Sequence, residues 1–103
     1  MMVNMDITLM YFDGCPGWQN AESNLRAALA ALGLPDVPIN LETIETVEEA
    51  EQAGFIGSPT VLIDGRDPFA EPGRAPGLSC RLYPAAQGMA NAPSVEQLIA
   101  ALG

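Results

Sequence analysis

The feature that most constrains this chain is a strand-to-helix junction at Asp13-Gly14-Cys15-Pro16. Before it, Ile7-Thr8-Leu9-Met10-Tyr11-Phe12 is an almost unbroken apolar run. A short run of this kind predicts a buried strand, placed over residues 5–12 and apolar on both faces, as in a central parallel strand. After it, Ala21, Leu25, Ala28, Leu29 and Leu32 recur at helical spacing. They predict a helix over residues 16–32, with Pro16 as its first residue, Gly33 at its C′ position and Pro35 just beyond. Cys15 stands where the strand hands over to the helix. A thiol there faces unpaired backbone N–H groups and the positive end of the helix dipole, which favour a negative sulfur. Such a cysteine is suited to be a nucleophile or a soft-metal ligand.

The rest of the chain supplies the partners for this unit. Val37, Ile39 and Leu41 alternate with Pro38, Asn40 and Glu42, a half-buried strand that Pro38 assigns to a sheet edge. Thr46-Val47-Glu48-Glu49 is a capping box opening a short helix, with Val47 and Ala50 inward and Gly54 as its end. Thr60-Val61-Leu62-Ile63 reads as a buried strand introduced by Pro59, and Asp64-Gly65 as the turn after it. Residues 65–77, rich in Gly and Pro, read as an irregular loop. Residues 79–83 read as a fourth strand and residues 84–93 as a second loop. Ser94-Val95-Glu96-Gln97 is another capping box, and Val95, Leu98, Ile99 and Leu102 carry a closing helix. The expected order is β-α-β-α-β-β-α over one domain, residues 1–103, with no internal repeat.

Composition narrows the chemistry. With 49% apolar residues the chain is globular, and at 103 residues it supports a single modest core. A net charge of -9, with four Arg and no Lys, disfavours binding to nucleic acid. The absence of His removes imidazole bases, Ser-His-Asp and Cys-His catalysis, and the usual zinc sites. No run is long and apolar enough to span a bilayer, and the first residues lack the basic stretch of a secretory leader. Two cysteines are too few for a disulfide framework, so the chain reads as cytoplasmic, with no membrane partner. The exposed edge at residues 37–42 offers a route to a homodimer.

The pairing of Tyr11-Phe12-Asp13-Gly14-Cys15-Pro16-Gly17-Trp18 with Phe55-Ile56-Gly57-Ser58-Pro59-Thr60 resembles the thioredoxin-like superfamily. The resemblance covers residues 5–63 well and residues 79–102 more loosely. It implies an α/β fold with a four-stranded mixed sheet in the order 2-1-3-4, flanked by three helices. It also implies that Pro59 follows a cis bond beside Cys15, and that the Ser58 backbone pairs with an extended substrate. The chain departs from the family where the Cys-x-x-Cys motif needs its second thiol, because Trp18 stands there. The acid buried beneath the family's dithiol is also missing, with Leu9 and Met10 in the corresponding stretch. The segment from Asp64 to Tyr83 is further similar to small bacterial thioredoxin-like proteins, some labelled alkylmercury-lyase-like. A lyase of that kind needs two thiols and an acid at one site. Cys15, Cys80 and Asp13 supply them only if the 65–77 loop folds back.

Each residue has a plainer reading beside the chemical one. Cys15 and Cys80 are candidate catalytic thiols, with Cys80 as the resolving sulfur that Trp18 is not. Either is equally a small core residue, Cys80 within the strand at 79–83. A disulfide between them requires Cα atoms within about 7 Å. Trp18, Ser58 and Pro59 are candidate substrate contacts, or else a core plug and a turn before a strand. Glu42, Glu45, Glu48, Glu49 and Glu51 form a solvated face. Met1, Met2, Met5 and Met10 carry no soft-metal site. Arg66 and Arg81 pair at the surface with Asp67 or Glu71, contributing only about 0–1 kcal/mol. Two functions follow: thiol–disulfide exchange with a protein or small-molecule thiol and no cofactor, or a binding module holding a soft metal, an organomercurial or a protein partner.

Overall fold

The computed structural model describes residues 5–15, 17–70, 73, 75–85 and 88–102. The readings made above for Met1, Met2, Pro16, Glu71 and Pro72 lie outside the described residues. The architecture is α/β, with three helices, a mixed three-stranded sheet and a separate two-stranded sheet.

β1 (Ile7–Tyr11) is central in the three-stranded sheet. It leads into α1 (Gly17–Ala31) through a turn closed by the Cys15 amide on the Phe12 carbonyl at 3.2 Å. The helix ends at Gly33, whose φ of +75° is the left-handed stop its position predicted. β2 (Ile39–Thr43) lies parallel to β1, with Leu41 beside Leu9, and forms one edge of the sheet as Pro38 suggested. α2 (Val47–Ala53) carries both bonds of the expected capping box: the Glu49 amide donates to Thr46 Oγ1 at 3.1 Å, and Glu49 Oε1 accepts from the Thr46 amide at 3.1 Å. β3 (Thr60–Ile63) runs antiparallel to β1 on its other side, with Val61 beside Leu9. β4 (Tyr83–Ala85) and β5 (Gly88–Ala90) form an antiparallel hairpin, and α3 (Val95–Leu102) closes the described chain behind the Ser94 cap.

Alternation along β1 divides the core in two. Ile7 and Leu9 face α1 and α3 and pack with Ala21, Leu25, Ala28, Leu29, Val61 and Leu98. Met10 faces the opposite side and packs with Ile44, Ala50 and Phe55 beneath α2. The period of two in a strand sends neighbours to opposite faces, so one five-residue strand anchors both layers. Each fully buried Leu or Ile contributes about 1.5–3 kcal/mol, so the α1–α3 layer holds most of the apolar stabilisation.

Several sequence expectations change. Among the described residues the three-stranded sheet ends at β3, and the expected four-stranded order 2-1-3-4 is not shown. The strand expected at residues 79–83 begins only at Tyr83, and part of the loop expected at residues 84–93 is its partner β5. The physical reason is that the backbone of residues 79–81 bonds to Ser58, ahead of β3, as an isolated bridge. Leu41 is 47% exposed because it sits on the open edge, beyond the cover of α1. Val47 is likewise exposed, leaving Ala50 as the inward residue of α2. Among the described residues, no helix is long and apolar enough to cross a membrane.

Candidate functional site

The β1–α1 turn sets Cys15 against the segment that enters β3. The Ser58–Pro59 peptide bond is cis, as the resemblance implied. Cys15 Sγ donates to the Ser58 carbonyl oxygen at 3.4 Å, and the Phe12 amide donates to Ser58 Oγ at 3.4 Å. Two residues after Cys15, Gly17 begins α1 packed against the loop before α3. A Cβ there would lie 2.2 Å from the Asn91 carbonyl oxygen. Only glycine permits that close approach, which holds the helix start and the turn before it in place.

The second thiol arrives from far along the chain. Residues 77–81 run beside residues 55–58. The Gly77 amide donates to Phe55 O at 3.1 Å, the Ser58 amide to Ser79 O at 2.8 Å, and the Arg81 amide to Ser58 O at 2.8 Å. This makes a parallel bridge between Ser58 and Cys80. Gly57, with a φ of +146°, lets the strands approach, since a Cβ there would meet Arg81 Cβ at 2.9 Å. Cys80 and Cys15 therefore converge on the same residue, Ser58. Both are free thiols.

Their surroundings differ sharply. Cys15 is 2% exposed, so the sulfur expected to be reachable is covered. Cys80, weighed above as a core residue of a strand, is exposed and lies outside β4. The neighbouring Cys15 side chain pushes the Cys80 thiol above its ordinary value, and partial desolvation and repulsion from a charged Cys15 sulfur act in the same direction. The linkage sign follows from that direction. A thiol whose folded value is raised gives stability that is complete below its unfolded value and is lost as pH rises through the folded one. Cys15→Ala is expected to bring the Cys80 titration back toward the ordinary thiol range, read from thiolate ultraviolet absorbance. An unchanged titration would assign the shift to burial.

What holds Cys80 in place is a group that sequence reasoning put at the surface. Arg81 is 1% exposed. Its guanidinium donates to Asp67 Oδ2 at 2.7 Å, to Thr60 Oγ1 at 3.3 Å and to the Phe69 carbonyl oxygen. It also lies 4.7 Å from the centre of the Tyr83 ring. Tyr83 in turn donates its hydroxyl to the Pro59 carbonyl oxygen at 2.6 Å. The long loop is thereby tied to Pro59, just after the cis bond, and to Thr60, the first residue of β3. The only signals in the sequence were an arginine next to a cysteine and Asp67 close after the Asp64-Gly65 turn. Neither indicates burial.

The remaining candidates fall into place around the pair. Ser58 and Pro59 are buried, and both backbone polar groups of Ser58 are engaged by residues 79–81. Trp18 is half-buried and stacked on Tyr11, with ring centres 4.2 Å apart and planes 17° from parallel. That stacking orients it as a brace between α1 and β1. Asp13 is exposed, and among the described residues no three His, Cys, Asp or Glu side chains form a group that could hold a metal ion. Two surface clefts of about 370 and 380 Å³, beside Met5 and Asp67 and beside Met5 and Pro35, include neither cysteine. Comparison with protein-family models, curated proteins and solved structures finds no match for this chain.

Proposed function

We propose that the chain is a thioredoxin-like protein carrying out thiol–disulfide exchange with Cys15 and Cys80 as its dithiol. The observation that carries this reading is the convergence on Ser58 of two free thiols 65 positions apart in sequence, Cys15 through its Sγ and Cys80 through a backbone bridge. The cis Ser58–Pro59 bond beside Cys15 and the helix that starts two residues later support the family assignment. In the oxidised form the pair would be a disulfide. In the reduced form it would deliver two electrons to a partner disulfide through a mixed disulfide. A protein or small-molecule thiol is the partner class.

The test is oxidative closure. Mild oxidation of the wild type should remove both reactive thiols and lower the intact mass by two hydrogens, with a peptide map joining Cys15 to Cys80. Dithiothreitol should reverse it. Oxidation that yields only intermolecular dimers, or none at all, would refute the dithiol. Absence of closure together with tight uptake of Hg(II) by both thiols would favour the second reading, a module that holds a soft two-coordinate cation.

A further inference from the structure

Both cysteines lie against Ser58, one covered and one exposed, which gives any exchange between them a direction. Resting on the exchange reading above, we propose that Cys80 is the sulfur to which partners bond, and that Cys15 serves only as the internal resolving sulfur. This reverses the roles that the strand-to-helix junction suggests from sequence.

The argument is one of approach. Displacement at a disulfide proceeds in line, with the incoming sulfur opposite the leaving one. Cys80 is exposed and Cys15, which meets the same residue Ser58, is 2% exposed. A thiolate arriving from solvent therefore meets Cys80 with Cys15 behind it. To reach Cys15 instead, it would have to displace packed protein around Ser58, which is itself fully buried and bonded to Cys15 Sγ.

The chemistry balances in both directions. A small-molecule thiolate attacks Cys80 Sγ of the oxidised pair, the Cys15–Cys80 bond breaks, and Cys15 leaves with the electron pair as thiolate. A second thiolate then attacks the partner sulfur of the mixed disulfide and releases Cys80, which takes a proton from water. Two thiols are oxidised to one disulfide, and the protein gains two electrons. In reverse, the Cys80 thiolate attacks a partner disulfide, and the Cys15 thiolate then attacks Cys80 to free the second partner thiolate.

Two measurements test this. Wild-type protein in its reduced form is treated with substoichiometric iodoacetamide at neutral and alkaline pH, and the first site modified is mapped. Separately, Cys15→Ser and Cys80→Ser are each incubated with glutathione disulfide and followed by intact mass. Cys80 should be alkylated first. Cys15→Ser should accumulate a stable glutathione adduct at least about tenfold faster than Cys80→Ser, whose remaining thiol reacts only on local opening. Should Cys15→Ser fail to fold, the order of alkylation in the wild type still decides. Cys15 modified first, or the faster adduct in Cys80→Ser, would overturn the assignment even where the internal disulfide closes normally. Failure of the disulfide to close in the wild type would instead sink the exchange reading on which the assignment rests.

Discussion

Replacing Arg81 with alanine is expected to lower folding stability by about 3 kcal/mol, and Tm by roughly 10–20 °C. The guanidinium is 1% exposed, and its bond to Asp67 Oδ2 is 2.7 Å long. Removing the cation leaves the Asp67 carboxylate, whose side chain is 14% exposed, without its ion-pair partner and with only the Phe69 amide donating to its Oδ1. It also strips a donor from Thr60 Oγ1 and from the Phe69 carbonyl oxygen. Breaking a buried pair from one side costs about 3–5 kcal/mol, because an uncompensated charge stays behind. The lower end applies here, since Arg81 Nε has no hydrogen-bond partner among the described residues and already carries part of that desolvation cost. Urea unfolding of Arg81→Ala, Asp67→Leu and the double variant Arg81→Met with Asp67→Leu separates the contributions. The double variant should recover most of the loss, because two apolar groups need no partner. A loss below about 1 kcal/mol in Arg81→Ala would place the pair with ordinary surface ion pairs.

Serine at either cysteine is expected to reduce catalytic turnover of a disulfide substrate by at least about a hundredfold, and serine at both should do no further harm. The reason lies in the two-step exchange proposed for the pair. One sulfur forms the mixed disulfide and the other releases it, so neither completes the cycle alone. Steady-state reduction of glutathione disulfide, with dithiothreitol regenerating the dithiol, measures this directly. Equal losses in all three variants support a unit of two sulfurs. Turnover retained in Cys15→Ser but lost in Cys80→Ser would reduce the mechanism to a single exposed thiol resolved by external thiol. Losses from Cys15→Ser alone would make Cys80 a bystander.

The two expectations meet at Cys80 and Arg81, neighbours in sequence whose exposure and burial no local pattern indicated. Local signals were legible wherever the physics is local. The junction at Asp13-Gly14-Cys15, both capping boxes, the left-handed ends at Gly33 and Gly54, and the edge position of β2 follow from hydrogen bonds and backbone preferences within a few residues. The two-layer core could be read in outline from the apolar face of α1 and from alternation about β1. The hairpin of β4 and β5 could not, because Tyr83, Pro84, Gly88 and Met89 carry no clear period of two.

By itself, then, the sequence determined that Cys15 sits at a helix start, and that the motif beside it lacks a second thiol. Only the tertiary structure decided that Cys80 and Cys15 both meet Ser58, that Cys15 is buried while Cys80 is exposed, and that Arg81 is a buried tie and not a surface charge. The physical reason is loop closure. Residues 64–81 return to Ser58 through backbone bonds and the Arg81–Asp67 pair, whose partners are 14 positions apart or more. Contacts of that span depend on the whole fold being in place, so no local pattern of residues announces them.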